Sequence, residues 1–149
     1  MDKGNPNTNA CIQSAIENGW CRFPHKMITR HRDFIALGAG NTYGTGADAI
    51  YVGSNTLDGA YIDRFTYMDW DYDEKFERQL AGNDEWVDHV IALRKKADKL
   101  KLRVVISPRA SIRGAAYLKH GFKRAEVEEM CVWKGISSTD RGQIEREAA

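Results

Sequence analysis

Residues 83–100 read NDEWVDHVIALRKKADKL, and this stretch decides how the C-terminal half of the chain folds. Apolar residues recur in it every three or four positions, as on one face of an α-helix. They are Trp86, Val87, Val90, Ile91, Leu93, Ala97 and Leu100. Cations follow late in the stretch, where the negative end of a helix dipole favours them. The pattern predicts a long amphipathic helix that packs against other helices.

Two more helices are predicted on the C-terminal side. Ser107 and Pro108 are typical of a helix start, since serine caps the first turn and proline fits its backbone. Gly121 is typical of the residue that follows a helix end. A further helix is expected over about residues 124–133. Together these helices predict an all-α lobe over residues 81–136.

On the N-terminal side, residues 33–42 read DFIALGAGNT, a short and almost wholly apolar run with polar ends. Such a run is typical of a central strand in a parallel sheet, where both faces are buried. Apolar and polar residues alternate over residues 65–70, which predicts a second strand. We therefore predict an α/β fold in which residues 1–80 form part of a parallel-sheet lobe, followed by the helical lobe. The polar residues 137–149 are expected to form a flexible tail.

Shorter elements surround the apolar run. A helix is predicted over residues 6–18, and two extended pieces at 20–23 and 27–29 predict a hairpin. Residues 43–54 contain three glycines and are expected to be a loop. Thr56 or Asn55 is expected to cap a short helix to about residue 64, and another helix is expected near 74–80.

Composition excludes several classes of protein. The chain has 149 residues, 29% of them charged, with a formal net charge of +1, so bulk charge does not indicate a nucleic acid or membrane partner. Three irregularly spaced cysteines argue against a disulfide framework and fit a reducing cytoplasm. No apolar run approaches the roughly 20 residues that span a bilayer. These features predict a soluble cytoplasmic protein.

Asn41 stands at the end of the predicted apolar strand, the edge at which open α/β sheets bind ligands. Its amide can hold a water molecule or a phosphate oxygen. The alternative is ordinary turn chemistry, because Asn-Thr before a glycine-rich loop is common in turns.

Two arginines are candidates for phosphate contacts. Arg64, beside Asp63, can reach a phosphate on a neighbouring molecule, or it can simply complement the negative end of its own helix. Arg109 lies in the first turn of a predicted helix, where a cation opposes the helix dipole. A charge kept there is suited to bind an anion, although a solvated arginine is the alternative.

Other patterns are weaker. Cys21, His25 and His31 lack the usual spacing of zinc ligands, so a zinc site would require the predicted hairpin to bring them together. The Gly44-Thr45-Gly46 loop is not a phosphate loop, because no Gly-Lys-Ser/Thr follows it. The four tryptophans are scattered, and the acidic residues from Asp69 to Glu74 are typical of a solvated surface. A basic helix from Arg94 to Arg103 leaves nucleic-acid binding open.

Taken in order, these motifs resemble the AAA+ ATPases of the dynein-related, MoxR-like and cobaltochelatase small-subunit branch. The resemblance covers roughly residues 1 to 136. Its main elements are Asn18-Gly19, Asp33-Phe34, Asn41-Thr42, Tyr51-Val52-Gly53, Asp63-Arg64-Phe65, Ser107-Pro108-Arg109-Ala110 and Glu126-Val127-Glu128-Glu129-Met130.

The resemblance implies a role for each candidate residue. Asn41 corresponds to sensor 1, which positions the attacking water near the γ-phosphate. Arg64 corresponds to the arginine finger that reaches the neighbouring subunit's ATP, with Asp63 orienting it. Arg109 corresponds to sensor 2, which reaches the nucleotide from the helical lid. The implied cofactor is ATP with Mg²⁺, and the implied partners are copies in a hexameric ring and an unidentified protein substrate.

The chain departs from the family pattern because it has neither the phosphate loop nor the Asp-Glu pair that holds magnesium. We therefore expect a truncated or split ATPase part that does not hydrolyse ATP alone and works with a ring or a missing N-terminal half. The alternative is a non-catalytic interaction module that kept the lid and lost the chemistry. The resemblance does not identify a client.

Overall fold

The computed structural model describes residues 2–48 and 51–147. Within them it has seven helices and one pair of strands, which group into two compact units, Met1–Met68 and Asp69–Ala149. The first unit contains α1 (Pro6–Asn18), β1 (Trp20–Phe23), β2 (Lys26–Thr29) and α2 (Gly59–Ile62). The second contains α3 (Glu74–Ala81), α4 (Asp84–Lys99), α5 (Pro108–Lys119), α6 (Arg124–Cys131) and α7 (Ser138–Arg146).

The helices predicted near residues 74–80, 83–100, 107–120 and 124–133 are confirmed, although the first of them belongs to the second unit and not to the lobe predicted over residues 1–80. Their boundaries follow local capping chemistry: the side chains of Asp73 and Asn83 accept hydrogen bonds from the N–H groups of Phe76 and Trp86, at the starts of α3 and α4. Pro108 occupies the first turn of α5, as expected. Within the described ranges, no helix is both long and apolar enough to cross a membrane.

The second unit is built around the apolar face of α4. Trp86 and Val90 are fully or almost fully buried there, and they pack in one core with residues of α5, α6 and α7. Complete burial of an aliphatic side chain contributes about 1.5–3 kcal/mol, so this core is the main source of the unit's stability.

The position of Trp86 also explains why residue 114 on α5 is a glycine. A Cβ atom added to Gly114 would lie 2.3 Å from the indole Nε1 of Trp86, well inside van der Waals contact. The indole N–H donates to the carbonyl oxygen of Ala110 at 3.2 Å. Helices α4 and α5 therefore approach closely at a point where one residue must be glycine.

The C-terminal segment differs from the flexible tail that we expected over residues 137–149. Ser137 caps α7 by accepting a hydrogen bond from the N–H of Asp140, and Ile144 is completely buried in the core. Helix α7 packs on α4. The segment is polar overall, but its one buried side chain, Ile144, packs in the core and gives the helix an apolar contact with its neighbours.

In the first unit, α1 packs beside an antiparallel hairpin. Trp20 pairs with Thr29, and Phe23 pairs with Lys26 next to the turn. The predicted helix and hairpin are thus confirmed. The short α2 begins at Asp58, whose side chain accepts from the N–H of Ala60, rather than at the expected Thr56 or Asn55.

The predicted parallel-sheet lobe is wrong. Residues 33–42 form no strand, and the side chains of Ile35 and Leu37 are 78% and 93% exposed. Residues 65–70 are also irregular, so the described part of the chain contains no parallel pair, only the hairpin and an isolated antiparallel bridge from Thr45 to Thr56. An apolar strand of a parallel sheet needs partner strands on its edges and helices on its faces. The described residues supply neither to this run.

Candidate functional site

Asn41 lies in a bend, and its side chain is exposed. Its backbone N–H donates to Oδ2 of Asp2 at 3.0 Å. The same oxygen accepts from the N–H of Thr42 at 3.1 Å and from the hydroxyls of Thr42 and Ser54 at 3.2 and 3.1 Å. Asp2 is buried. The segment around Asn41 therefore surrounds an anion with hydrogen-bond donors, and the anion is a carboxylate of the chain itself.

Sequence reasoning missed Asp2, which stands in a polar N-terminal stretch without any recognisable motif. Burial alone would raise the pKa of its carboxyl group, but hydrogen bonds from Ser54, Asn41 and Thr42 outweigh burial and lower the pKa below its ordinary value. Asp2 is therefore ionised at neutral pH. The exposed side chain of Asn41 takes no part in this contact, so the strand-end position expected for sensor 1 is not formed.

Arg64 is engaged within its own unit. Its Nη2 lies 2.7 Å from Oε2 of Glu17 on α1, its Nε donates to the same oxygen at 3.2 Å, and its Nη1 donates to the carbonyl oxygen of Ala60. Asp63, the residue expected to orient Arg64, is exposed at the end of α2. Arg64 thus closes the end of a helix and joins α2 to α1, which is close to the structural alternative considered for it.

Arg109 is the second residue of α5, and its side chain is exposed. Within residues 2–48 and 51–147, its guanidinium has no hydrogen-bonded or ion-paired partner. The hydroxyl of the preceding Ser107 makes no capping hydrogen bond. The start of α5 therefore presents an uncompensated cation where the helix dipole is already positive.

A buried polar cluster in the second unit was also missed by sequence reasoning. Glu77 on α3 receives hydrogen bonds from Arg94 on α4 at 3.0 and 2.9 Å and a further one from the hydroxyl of Ser111 on α5. Arg94 Nε donates to the carbonyl oxygen of Ile106 at 2.6 Å, and its guanidinium lies 4.7 Å from the ring centre of Tyr72. The cluster joins three helices and leaves few donors or acceptors unsatisfied.

The ionisation of Glu77 follows from these contacts. Burial alone would raise the pKa of its carboxyl group, but the hydrogen bonds and charge of Arg94 and the hydroxyl of Ser111 lower the pKa below its ordinary value. The sequence does not indicate this cluster: Glu77, Arg94 and Ser111 follow one another at intervals of 17 residues along the chain, and glutamate, arginine and serine are each common on helix surfaces. Only the packing of three helices reveals the cluster.

The cluster fixes the helix turn that carries Arg109. Ser111 is bonded to Glu77, and the carbonyl of Ala110 accepts the indole N–H of Trp86. The two residues that follow Arg109 are therefore held from α3 and from α4. Arg109 thus stands on a helix turn that is hydrogen-bonded to both neighbouring helices, and its own side chain is exposed to solvent.

The remaining candidates are not assembled into a site. Within the described ranges, no group of three or more His, Cys, Asp or Glu side chains is placed to hold a metal ion. Arg94 is buried in its ion pair, so the segment from Arg94 to Arg103 does not present the continuous basic surface considered for nucleic acid. Trp86 and Trp133 belong to the core, whereas Trp20 and Trp70 are exposed.

The chain matches no protein family, no curated protein and no solved structure.

Proposed function

We propose that this chain supplies the nucleotide-sensing helical part of a ring-forming ATPase of the AAA+ type, and that Arg109 is the residue that contacts the phosphates of ATP. The observation that supports this most directly is an exposed guanidinium without a partner among the described residues, on a helix turn fixed by two neighbouring helices. Arginine at such a position can bind a phosphate by two parallel hydrogen bonds.

The start of α5 also provides a positive electrostatic potential that favours a bound phosphate group. The N-terminal end of a helix carries about half a positive charge, and the guanidinium of Arg109 adds a full one. A triphosphate compensates both, and its magnesium ion would neutralise the remaining phosphate charge. The proposal requires no parallel sheet in this chain, because the phosphate-binding loop and the magnesium-binding carboxylates would come from another polypeptide segment in the assembly.

The roles proposed for the other residues demand a rearrangement. Arg64 would act across a subunit boundary, with Asp63 orienting it, only after leaving Glu17. The ion pair is partly exposed, with the side chain of Glu17 53% exposed, so it contributes on the order of 1 kcal/mol, and a neighbouring nucleotide can compete for the guanidinium. Asn41 would contact a γ-phosphate or a water molecule through its exposed side-chain amide. A cytoplasmic location fits three cysteines that are all free thiols.

The affinity of the chain for nucleotides tests this proposal. We expect weak binding of a fluorescent ATP analogue with Mg²⁺, weaker binding of the AMP analogue, and a loss of about tenfold or more in ATP affinity for Arg109→Ala, since hydrogen bonds to charged groups contribute about 1.5–3 kcal/mol. Lys119→Ala is the matched control: it removes one exposed cation from the other end of α5, about 15 Å away. Equal affinities of the two variants, or equal binding of ATP and AMP, would contradict the proposal.

The second candidate is a non-catalytic interaction module, and the capture of Arg64 by Glu17 favours it. In that case Arg64 is a structural residue, and no nucleotide should release it. The chain would then self-associate in sedimentation experiments to the same extent with and without ATP, and Arg64→Ala and Arg109→Ala would leave this association unchanged.

A further inference from the structure

The hairpin of the first unit concentrates positive charge. This hairpin region, residues 19–32, contains four Arg or Lys residues, two histidines and no acidic residue, although the whole chain has a net charge of only +1. Arg30 donates to the carbonyl oxygen of Ile16, and Arg32 lies 3.5 Å from the carboxylate of Asp33 at an exposed position. The carbonyl contact of Arg30 leaves its positive charge uncompensated. The ion pair of Arg32 with Asp33 is weak, because both side chains are exposed.

Arg22 and Lys26 are more available to a ligand than Arg30 and Arg32. Both side chains are exposed, and their charged groups have no ion pair or hydrogen bond within the part of the chain that the structure describes. One lies on each strand, and the strand register puts them on different faces of the hairpin. Arg22 pairs with Met27 and shares its face, whereas Lys26 pairs with Phe23 and shares the other face. Each face therefore has one available cation.

Each face also has an exposed aromatic ring. The register places Trp20 on the face of Arg22 and Phe23 on the face of Lys26, and these rings are 46% and 50% exposed. An exposed tryptophan two residues from an arginine on the same face combines a stacking surface with a phosphate contact. The exposed Met27 adds apolar area beside Trp20 and Arg22.

We infer that this hairpin, residues 19–32, is a binding surface for single-stranded nucleic acid. Unpaired bases offer flat faces that stack on aromatic side chains, and the phosphates between them offer negative charge for arginine and lysine. A duplex would hide its base faces from Trp20. A membrane is less suitable, because the exposed apolar side chains are divided between the two faces, each of which also carries a cation, and His25 and Lys26 occupy the tip.

Fluorescence anisotropy with labelled oligothymidylate and oligouridylate of about 16 nucleotides tests the inference on the full chain. We expect both to bind, with affinity falling as salt rises, and Trp20→Ala to weaken binding about five- to hundredfold. Arg22→Gln and Lys26→Gln, made separately because the two cations lie on different faces of the hairpin, should each lower the magnitude of the log–log salt slope by about 0.7, the value for one phosphate contact on a single strand. A difference between the two oligonucleotides would identify the preferred nucleic acid.

Matched controls come from the second unit. Trp70→Ala removes an exposed tryptophan that stands between Asp69 and Asp71, and Lys75→Gln/Lys119→Gln removes two exposed cations from helices. Both variants should bind like wild type, and circular dichroism should show that all variants keep their helices. The inference is independent of the proposed function, so Arg109→Ala should also bind oligonucleotides normally.

Three results would overturn the inference. The first is the absence of oligonucleotide binding by the wild-type chain. The second is equal binding by Trp20→Ala and Trp70→Ala. The third is binding to phosphatidylserine vesicles without binding to oligonucleotides, which would assign the hairpin to a lipid surface.

Discussion

At the residue scale, the buried contacts of Glu77 predict a large loss of stability when its charge is removed. Removal of one partner from a buried ion pair leaves the other charge unpaired, so Glu77→Gln should lower the free energy of unfolding by about 3–5 kcal/mol. Glu74→Gln is the matched control on the same helix, because Glu74 forms only an exposed pair with Lys95. It should cost less than about 1 kcal/mol in urea denaturation. Equal losses for the two variants would contradict the buried cluster.

The same residue predicts a pH dependence. The pKa of Glu77 in the folded chain lies below its ordinary value of 4.5, so its contribution to stability is complete above pH 4.5 and is lost as the pH falls through the folded pKa. The difference in unfolding free energy between wild type and Glu77→Gln should therefore shrink below pH 4.5. A difference that stays constant down to pH 3 would show that the charge of Glu77 is not responsible.

At the element scale, α7 is the clearest departure from what its polar sequence suggests. Ile144 is completely buried, so Ile144→Ala should destabilise the second unit by about 2–5 kcal/mol in thermal or urea unfolding. Gln143→Ala, one residue away and exposed, is the control and should change stability little. Similar unfolding midpoints for both variants would mean that the segment is indeed a flexible tail.

The elements also show what sequence could predict. Periodicity predicted α4 closely, and Pro108 and Gly121 predicted the two ends of α5, because these signals are local; the expected cap by the Ser107 side chain is not formed. The apolar run at residues 33–42 failed as a predictor because burial of a strand depends on partner strands that the run itself does not specify. Glu77 and Asp2 were missed for the same reason: their partners are distant in sequence.

At the scale of the whole molecule, the two units differ in how much apolar surface they bury. Tyr61 is the only buried hydrophobic residue that the structure describes in the first unit, whereas the second has a continuous core around α4. Amide hydrogens of α4 and α5 should therefore exchange slowest, and those of the β1–β2 hairpin much faster, in native-state hydrogen exchange. Equal protection of the hairpin and α4 would mean that the chain unfolds as one cooperative unit.

The functional proposal also belongs to this scale, because it depends on a nucleotide reaching one defined point of the second unit. Of the candidate residues, Asn41 and Arg64 were expected to act from a sheet lobe that the structure lacks, whereas Arg109 keeps the exposed helix-start position that its sequence context indicated. Local signals were sufficient to place Arg109.

The most direct test is a titration of the isotope-labelled chain with ATP and Mg²⁺, followed by two-dimensional NMR. We expect the largest amide shifts on the first turn of α5, around Arg109 and Ala110. AMP should cause much smaller shifts, and Arg109→Ala should abolish the ATP-induced shifts while Lys119→Ala does not. Shifts confined to other parts of the chain, or unchanged in Arg109→Ala, would contradict the proposed role of Arg109.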